Sequence, residues 1–357
     1  MKSLRFSYHA LFLGAVLLWQ TSVSLSAINN NIDVGQGHEC LKNPTLENRI
    51  SCLSTIISSP ESSTNDVIGA LLFRAFTYGA TNQPDKSKAD YLAILDVQPK
   101  DKPTLAQRGI LLATVGQTEL AMQAFDQALK LDPKDLEALN ARAATQAQKQ
   151  NFRSAIEDFS RVLKIDPANV EALQNRGSIR SDLKQNDAAI RDLTDAIKLN
   201  PSKDFRAFYA RANAYNERGN YRWAIEDYST ALILQPQMPE ALLNRGSLLQ
   251  FQGKYNTALK DFDALLRLDP ENFSAYAHNG RCWSFIFLKQ LETAMVECNE
   301  SIKLNDQISE TYDSRALLYE RLRKLDLAEA DYQKSHALKP TNIYAIDGLK
   351  RVKATKK

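Results

Sequence analysis

Prolines divide this chain at a nearly constant interval. Pro99, Pro133, Pro167, Pro201, Pro236 and Pro270 follow one another at 34, 34, 34, 35 and 34 residues; Asp306 stands 36 further on, and Pro340 comes 34 after that. Each closes a stretch such as Leu131-Asp132-Pro133 or Leu268-Asp269-Pro270. Proline has no backbone N–H to give a helix and pushes the preceding residue out of helical geometry, so it ends one unit before the next begins. A fixed period of this size means one supersecondary unit repeated along the chain, each copy unable to bury its apolar face alone.

Inside the units two small residues recur twelve apart: Gly109 with Ala121, Ala143 with Ala155, Gly177 with Ala189, Ala212 with Ala224, Gly246 with Ala258, and Ala316 with Ala328. A turn lies between them, with glycine at Gly116, Gly219 and Gly253. Small residues on two antiparallel helices let the backbones approach, and a bulkier residue there costs roughly 1 to 3 kcal/mol by overpacking. An aromatic residue or leucine follows four places after the second: Tyr91, Phe125, Phe159, Leu193, Tyr228, Phe262 and Tyr332. The first unit has Ser87 where alanine is usual. The seventh has Cys298 in place of the aromatic and Asp306 in place of proline, with two extra residues placed near Lys289 and Gln290.

This pattern of small residue, alanine, aromatic and proline resembles the tetratricopeptide repeat. The resemblance runs from about Asp66 to Lys339 in eight units. It implies an all-α solenoid, a right-handed superhelix of helical hairpins with first helices lining a concave groove and second helices on the convex side. The units fall at about 68–101, 102–135, 136–169, 170–204, 205–238, 239–272, 273–308 and 309–340, within a repeat region of 66–340. Residues 28–65 form an N-terminal linker and capping helix. The segment 341–357 forms a C-terminal helix with Ile343, Ile346 and Leu349 on its apolar side and a basic tail.

Arginine precedes the small residue in seven units, at Arg74, Arg108, Arg142, Arg176, Arg211, Arg245 and Arg315. An acid precedes the aromatic position in seven, at Asp90, Asp158, Asp192, Asp227, Asp261, Glu297 and Asp331. In such a hairpin the two lie level on adjacent helices, which reads as a ladder of ion pairs. Residues that recur in every repeat serve what every repeat shares, namely stacking, so the ladder is structural rather than a basic rail for ligands.

The first residues read as an export signal spanning 1–27: Lys2 and Arg5 precede the apolar run from Ala10 to Trp19, and small residues follow at Ser22, Ser24, Ser26 and Ala27. The run is too short for a membrane-spanning helix, which needs roughly twenty residues. Cleavage between Ser24 and Ala27 would leave a periplasmic or secreted chain with no integral membrane segment; the alternative is that the run stays as an uncleaved anchor. Thiols oxidise outside the cytosol, so the four cysteines are candidates for pairing. A helix opened by Pro44 and running to about Ser58 brings Cys52 back to the level of Cys40. The two either pair, worth about 3 kcal/mol through loop closure, or stay as buried thiols. Cys282 and Cys298, on the two helices of the seventh hairpin, face the same two alternatives.

Chemistry is conspicuous by what is missing. Beyond the signal the histidines are His38, His278 and His336, with no metal-ligand spacing among them. There is no Gly-rich phosphate loop, no nucleophile elbow and no CxxC pair, and the acids recur with the repeat. We therefore expect no enzyme activity, no cofactor and no metal. The net charge of +3 is too small to argue for nucleic acid. The expected partner is a protein or extended peptide.

Function in such a scaffold belongs where the repeats differ. The groove positions of the first helices carry Asn140, Gln174, Asn175, Tyr209, Asn213, Asn216, Asn244, Gln250, Arg281 and Ser284. Amides donate and accept at once, which suits the backbone of an extended guest, and Tyr209 adds apolar area. Family members that bind acidic chaperone tails use a lysine and arginine clamp here. Asn213 and Asn244 match its asparagines loosely, but Tyr209 and His278 stand near its basic positions, so that activity is not implied. Trp223 and Trp283 fit helix faces that pack between hairpins. The reading is an exported, non-catalytic binding scaffold; the alternatives are a structural subunit of an envelope or secretion complex and, more remotely, a polysaccharide binder.

Overall fold

The computed structural model describes residues 37–98, 102–200 and 204–356. The expected export signal, 1–27, and the repeat prolines Pro99 and Pro201 lie outside them. Every regular element among the described residues is a helix. A short α1 (Gly37–Cys40) and α2 (Leu46–Ser58) come first. Eight hairpins follow: α3 (Thr64–Ala80) with α4 (Pro84–Asp96), α5 (Lys102–Thr114) with α6 (Thr118–Leu131), α7 (Leu136–Gln148) with α8 (Phe152–Ile165), and α9 (Val170–Asp182) with α10 (Asn186–Leu199). The rest are α11 (Phe205–Glu217) with α12 (Tyr221–Leu234), α13 (Pro239–Phe251) with α14 (Tyr255–Leu268), α15 (Ser274–Phe287) with α16 (Leu291–Leu304), and α17 (Ser309–Arg321) with α18 (Leu325–Leu338). A single helix, α19 (Ile343–Lys356), completes the series. The chain forms two compact units, and the division falls within α9 between Ile179 and Arg180. No described helix is long and apolar enough to cross a membrane.

The hairpin turns have one recurring cause. A single residue in each adopts left-handed geometry: Asn82, Gly116, Gln150, Lys184, Gly219, Gly253, Lys289 and Arg323. Around Gly253 the N–H of Lys254 bonds the carbonyl of Leu249 at 2.8 Å and the N–H of Gly253 bonds that of Gln250 at 2.9 Å. These two bonds satisfy carbonyls that the end of α13 would leave bare, and they reverse the chain. Lys289 and Gln290 repeat the arrangement on Ile286 and Phe285.

In the N-terminal unit, α1 and α2 are joined by a disulfide between Cys40 and Cys52, whose Cα atoms are 5.6 Å apart. Helix α2 starts at Leu46 rather than at Pro44, because the Thr45 hydroxyl accepts the free N–H of Asn48 and so caps it. Its Leu53 is fully buried with Leu72, Phe73 and Ile94. In the following hairpins the small residue of the first helix meets the aromatic ring of the second: a Cβ on Gly109 would lie 2.5 Å from the Phe125 ring.

The same packing runs through the C-terminal unit, where a Cβ on Gly246 would lie 2.9 Å from Phe262. Each ring also touches the first helix of the next hairpin, as Phe262 touches Gly280 and Tyr332 touches Gly348 of α19. Gly280 is therefore the position that receives the preceding ring, and Cys282 occupies the small-residue position of its own hairpin. Cys282 and Cys298 are disulfide-bonded with Cα atoms 5.2 Å apart, and the bond replaces the small-residue and aromatic contact. This corrects the placement of the two extra residues. They precede Cys282, one lengthening the linker of residues 269–273 and one lengthening α15, and do not fall near Lys289 and Gln290.

The ladder of ion pairs is built and carries a second function. Arg142 places Nε and Nη2 each 2.8 Å from the Asp158 carboxylate, and its Nη1 lies 2.6 Å from Asp126 on the preceding hairpin. Arg74 with Asp90, Arg211 with Asp227, Arg245 with Asp261 and Arg315 with Asp331 are paired the same way. Their Nη1 groups reach back to Ser54, Thr194, Ser229 and Asn299. Each fork thus closes its own hairpin and ties it to the one before. A planar guanidinium with donors in fixed directions does both at once, which lysine would not. In the corrected register Arg281 is a further member, 2.8 Å from Glu297 and 3.2 Å from Asp263.

Candidate functional site

In the C-terminal unit the first helices approach one another, α13 to α15, α15 to α17 and α17 to α19. The second helices, among the described residues, do so far less. Crowding on one side and splay on the other puts the first helices on the inner face of this unit. Four of the expected groove residues converge there on one buried phenol. Tyr228 is fully buried on α12 and its hydroxyl donates to Asn213 Oδ1 on α11 at 2.5 Å. Asn244 of α13 and Asn216 of α11 also hydrogen-bond its oxygen. Burial pushes the Tyr228 phenol well above its ordinary range, the neighbouring Tyr209 pushes it further, and these amide bonds oppose the rise. Tyr209, with its ring 5.8 Å from that of Tyr228, is likewise raised by burial and by Glu240, against a hydrogen bond with Asn213.

A tyrosine hydroxyl without partners in a helical core costs about 1 to 3 kcal/mol, so the asparagines answer a need created by Tyr228. The three asparagines remain half-exposed on the inner face. A primary amide carries two donors and an acceptor with two lone pairs, more than one phenol uses. Asn213, Asn216 and Asn244, beside Tyr209, thus form a preorganised polar surface whose amides carry more hydrogen-bonding groups than the phenol uses.

The remaining expected residues are placed otherwise. Gln250 Nε2 donates to the Gly280 carbonyl at 2.5 Å and to Ser284 Oγ at 2.8 Å, tying α13 to α15. Ser284 is 0% exposed and so faces the interior. Arg281 belongs to the ladder, held by Glu297, which also lies 2.6 Å from His278 Nδ1. In the N-terminal unit, Asn140 Nδ2 is 3.5 Å from Asn169 Oδ1 at the start of the next hairpin. Gln174 is buried and Asn175 half-exposed.

Two sequence expectations change. Trp223 is 53% exposed rather than core, beside Arg222 and the ring of Tyr215. It precedes the buried Ala224 by one residue, and one helical step of about 100° turns it out of the interface. Ser154, Thr257 and Thr293 stand at the same place in other hairpins and are exposed too. Trp283 is half-buried against Phe287 and Tyr344. The hub itself, Tyr228, carries no sequence signal beyond its hydroxyl, which it shares with Tyr91 and Tyr332 at a position that four units fill with phenylalanine or leucine.

Tetratricopeptide repeat models match residues 107–170, 170–203, 205–238, 239–272 and 309–342, more than half of the chain. No curated protein sequence matches it significantly. Among solved structures, pilF of Pseudomonas aeruginosa is 22% identical, covering 60% of this chain and 96% of that one at a TM-score of 0.51. The Cut9-Hcn1 hetero-tetramer of the APC/C is 18% identical, covering 89% of this chain and 64% of that one at a TM-score of 0.50. A tetratricopeptide repeat protein of Parabacteroides merdae is 19% identical, covering 71% and 99% at a TM-score of 0.48. At such identities the structural likeness concerns the fold alone. With its hairpins, ring-on-glycine packing and matched repeats, the chain belongs to the tetratricopeptide repeat family.

Proposed function

We propose that the chain is an exported scaffold that holds an extended segment of another polypeptide on the inner face of its C-terminal unit, by binding rather than by reaction. The observation that carries this reading is the convergence of Tyr209, Asn213, Asn216 and Asn244 around the Tyr228 hydroxyl on a half-exposed face. The ladder and the ring packing hold these helices at fixed spacing, so the amides wait in place and little side-chain entropy is lost on binding. Cut9 and Hcn1 form a hetero-tetramer and share this fold, which supports the reading by analogy of fold only. Export is supported by the charged and apolar pattern of residues 1–27 and by two disulfides with no free cysteine among the described residues.

A capture experiment from envelope extract tests it. Replacing Asn213, Asn216 and Asn244 with alanine in a Tyr228→Phe background removes the amides without leaving the phenol bare. The scaffold reading expects a folded, helical variant that no longer retains the protein caught by the wild type. Equal capture by both would overturn it.

A second reading, a structural subunit of a larger assembly, draws on exposed apolar residues of the second helices, Trp223, Ile233, Val296 and Leu327. Under that reading Trp223→Ser, not the amide variant, abolishes association.

A further inference from the structure

The turns of hairpins six to eight differ from those of the α5–α6 and α7–α8 hairpins in a way the repeat does not require. Tyr255, which opens α14, stacks on Phe287 at the end of α15, with ring centroids 5.0 Å apart and planes 13° from parallel. The guanidinium of Arg321, at the end of α17, lies over the Phe287 ring at 5.0 Å. Phe251, at the end of α13 and exposed, meets Tyr221 edge-on at 4.7 Å. In the same three turns stand Lys254, Lys289, Arg323 and Lys324, all exposed. The acids there are Glu292 and Asp326, and Asp326 is held by Lys356 at 2.7 Å. In the turns of α5–α6 and α7–α8 the ring is Phe152 alone, and Glu119 and Lys149 neutralise each other at 2.8 Å.

We propose that this turn edge of the C-terminal unit docks an acidic, extended segment of a partner polypeptide. The inference rests on the reading of the chain as a polypeptide-binding scaffold, but it names a different surface from the asparagine face. Cations carried by successive turns repeat at the hairpin spacing, about 8 to 10 Å for packed helices. An extended chain advances about 3.3 Å per residue, so an acid at every third position meets Lys254, Lys289 and Arg323 in turn. The rings form the bed for the stems between those acids. Tyr255 and Phe287 are stacked on one another and Arg321 covers Phe287, so this pair is not laid out as successive open platforms of the kind that bases of single-stranded nucleic acid need. Phe251 is the single large apolar side chain that the band exposes, too little for a membrane-inserting face.

The test uses the full chain and two fluorescein-labelled twelve-residue peptides, one with glutamate at every third residue among glycine and serine, the other with glutamine in its place. Fluorescence anisotropy at low ionic strength is expected to show binding of the glutamate peptide alone, weakening as salt is raised. The triple variant Lys254→Glu, Lys289→Glu, Arg323→Glu is expected to weaken it by about tenfold or more, while the asparagine variant leaves it unchanged. Circular dichroism confirms that the charge variant folds, and a triple glutamine variant, expected to fall between, guards against a reversal artefact. Equal binding of both peptides, unchanged binding by the charge variant, or tighter binding of single-stranded RNA or anionic vesicles at these lysines would each overturn the proposal. If the charge variant still captures the envelope partner that the asparagine variant loses, the turn edge fails while the scaffold reading stands.

Discussion

Hairpins six and seven occupy neighbouring places in the C-terminal unit and solve the same packing problem with different chemistry. In the sixth, Gly246 lies under the Phe262 ring, and dispersion across the ring face joins the helices. In the seventh, both diagnostic residues are cysteines, and a covalent bond stands where the ring would lie. What stays constant is the frame around them. Arg245 meets Asp261, Arg281 meets Glu297, and each turn closes on one left-handed residue, Gly253 or Lys289. The repeat is therefore specified by its ion-pair fork and its turn, and the interior is free to vary as long as it fills the space.

The comparison can be broken most forcefully from the sixth hairpin. Phe262→Ala removes a ring shared by Gly246 and Gly280 and should cost about 3 to 5 kcal/mol, read by chemical denaturation. The Cys282→Ala, Cys298→Ala variant should cost about 2 to 4 kcal/mol, with the loss of amide protection concentrated in α15 and α16. Cys282→Gly with Cys298→Phe should recover part of that loss if the two interiors are interchangeable; no recovery would mean that the seventh hairpin has adapted to the bond.

A smaller effect comes from the polar joint beyond the seventh hairpin. Asp313 is buried, its Oδ2 accepts from Asn342 at 2.5 Å, and Ser314 Oγ donates to Asn279 at 2.7 Å. Burial pushes the Asp313 carboxyl up to about 6, against hydrogen bonds with Ser335 and Asn342. The folded form holds this proton more tightly than the unfolded chain, whose carboxyl keeps its ordinary value of 3.8. Its contribution to stability is complete below that value and is lost as pH rises through about 6. Thermal unfolding of wild type, measured relative to Asp313→Asn, should therefore lose ground between about pH 4 and about pH 7. The smallest effect separates the two turns: Lys289→Gly should stabilise by up to about 1 kcal/mol, because a side chain strains left-handed backbone, whereas Gly253→Ala should destabilise.

Much of the fold was legible because its signals are periodic. The prolines, the small residues and the arginine-acid pairs recur at the spacing of the hairpin, and each is a local requirement of backbone or packing. The two extra residues of the seventh unit were misplaced for a physical reason: with cysteine at both interior positions, neither the usual small residue nor the ring marks its register. The candidate site was less legible. Sequence placed Tyr209, Asn213, Asn216 and Asn244 on one face, but whether an amide points to a guest or to a neighbouring helix depends on contacts between hairpins. Gln250, Ser284 and Arg281 read the same way on paper and are spent on stacking. The exposure of Trp223 follows from a single helical step that periodic patterns do not resolve.

The most direct test places a photoreactive benzoylphenylalanine at Asn216 on the inner face or at Trp223 on the outer face, and irradiates the chain in envelope extract. The account predicts a covalent adduct with a partner polypeptide from position 216 and none from position 223. Adducts from position 223 alone would contradict it.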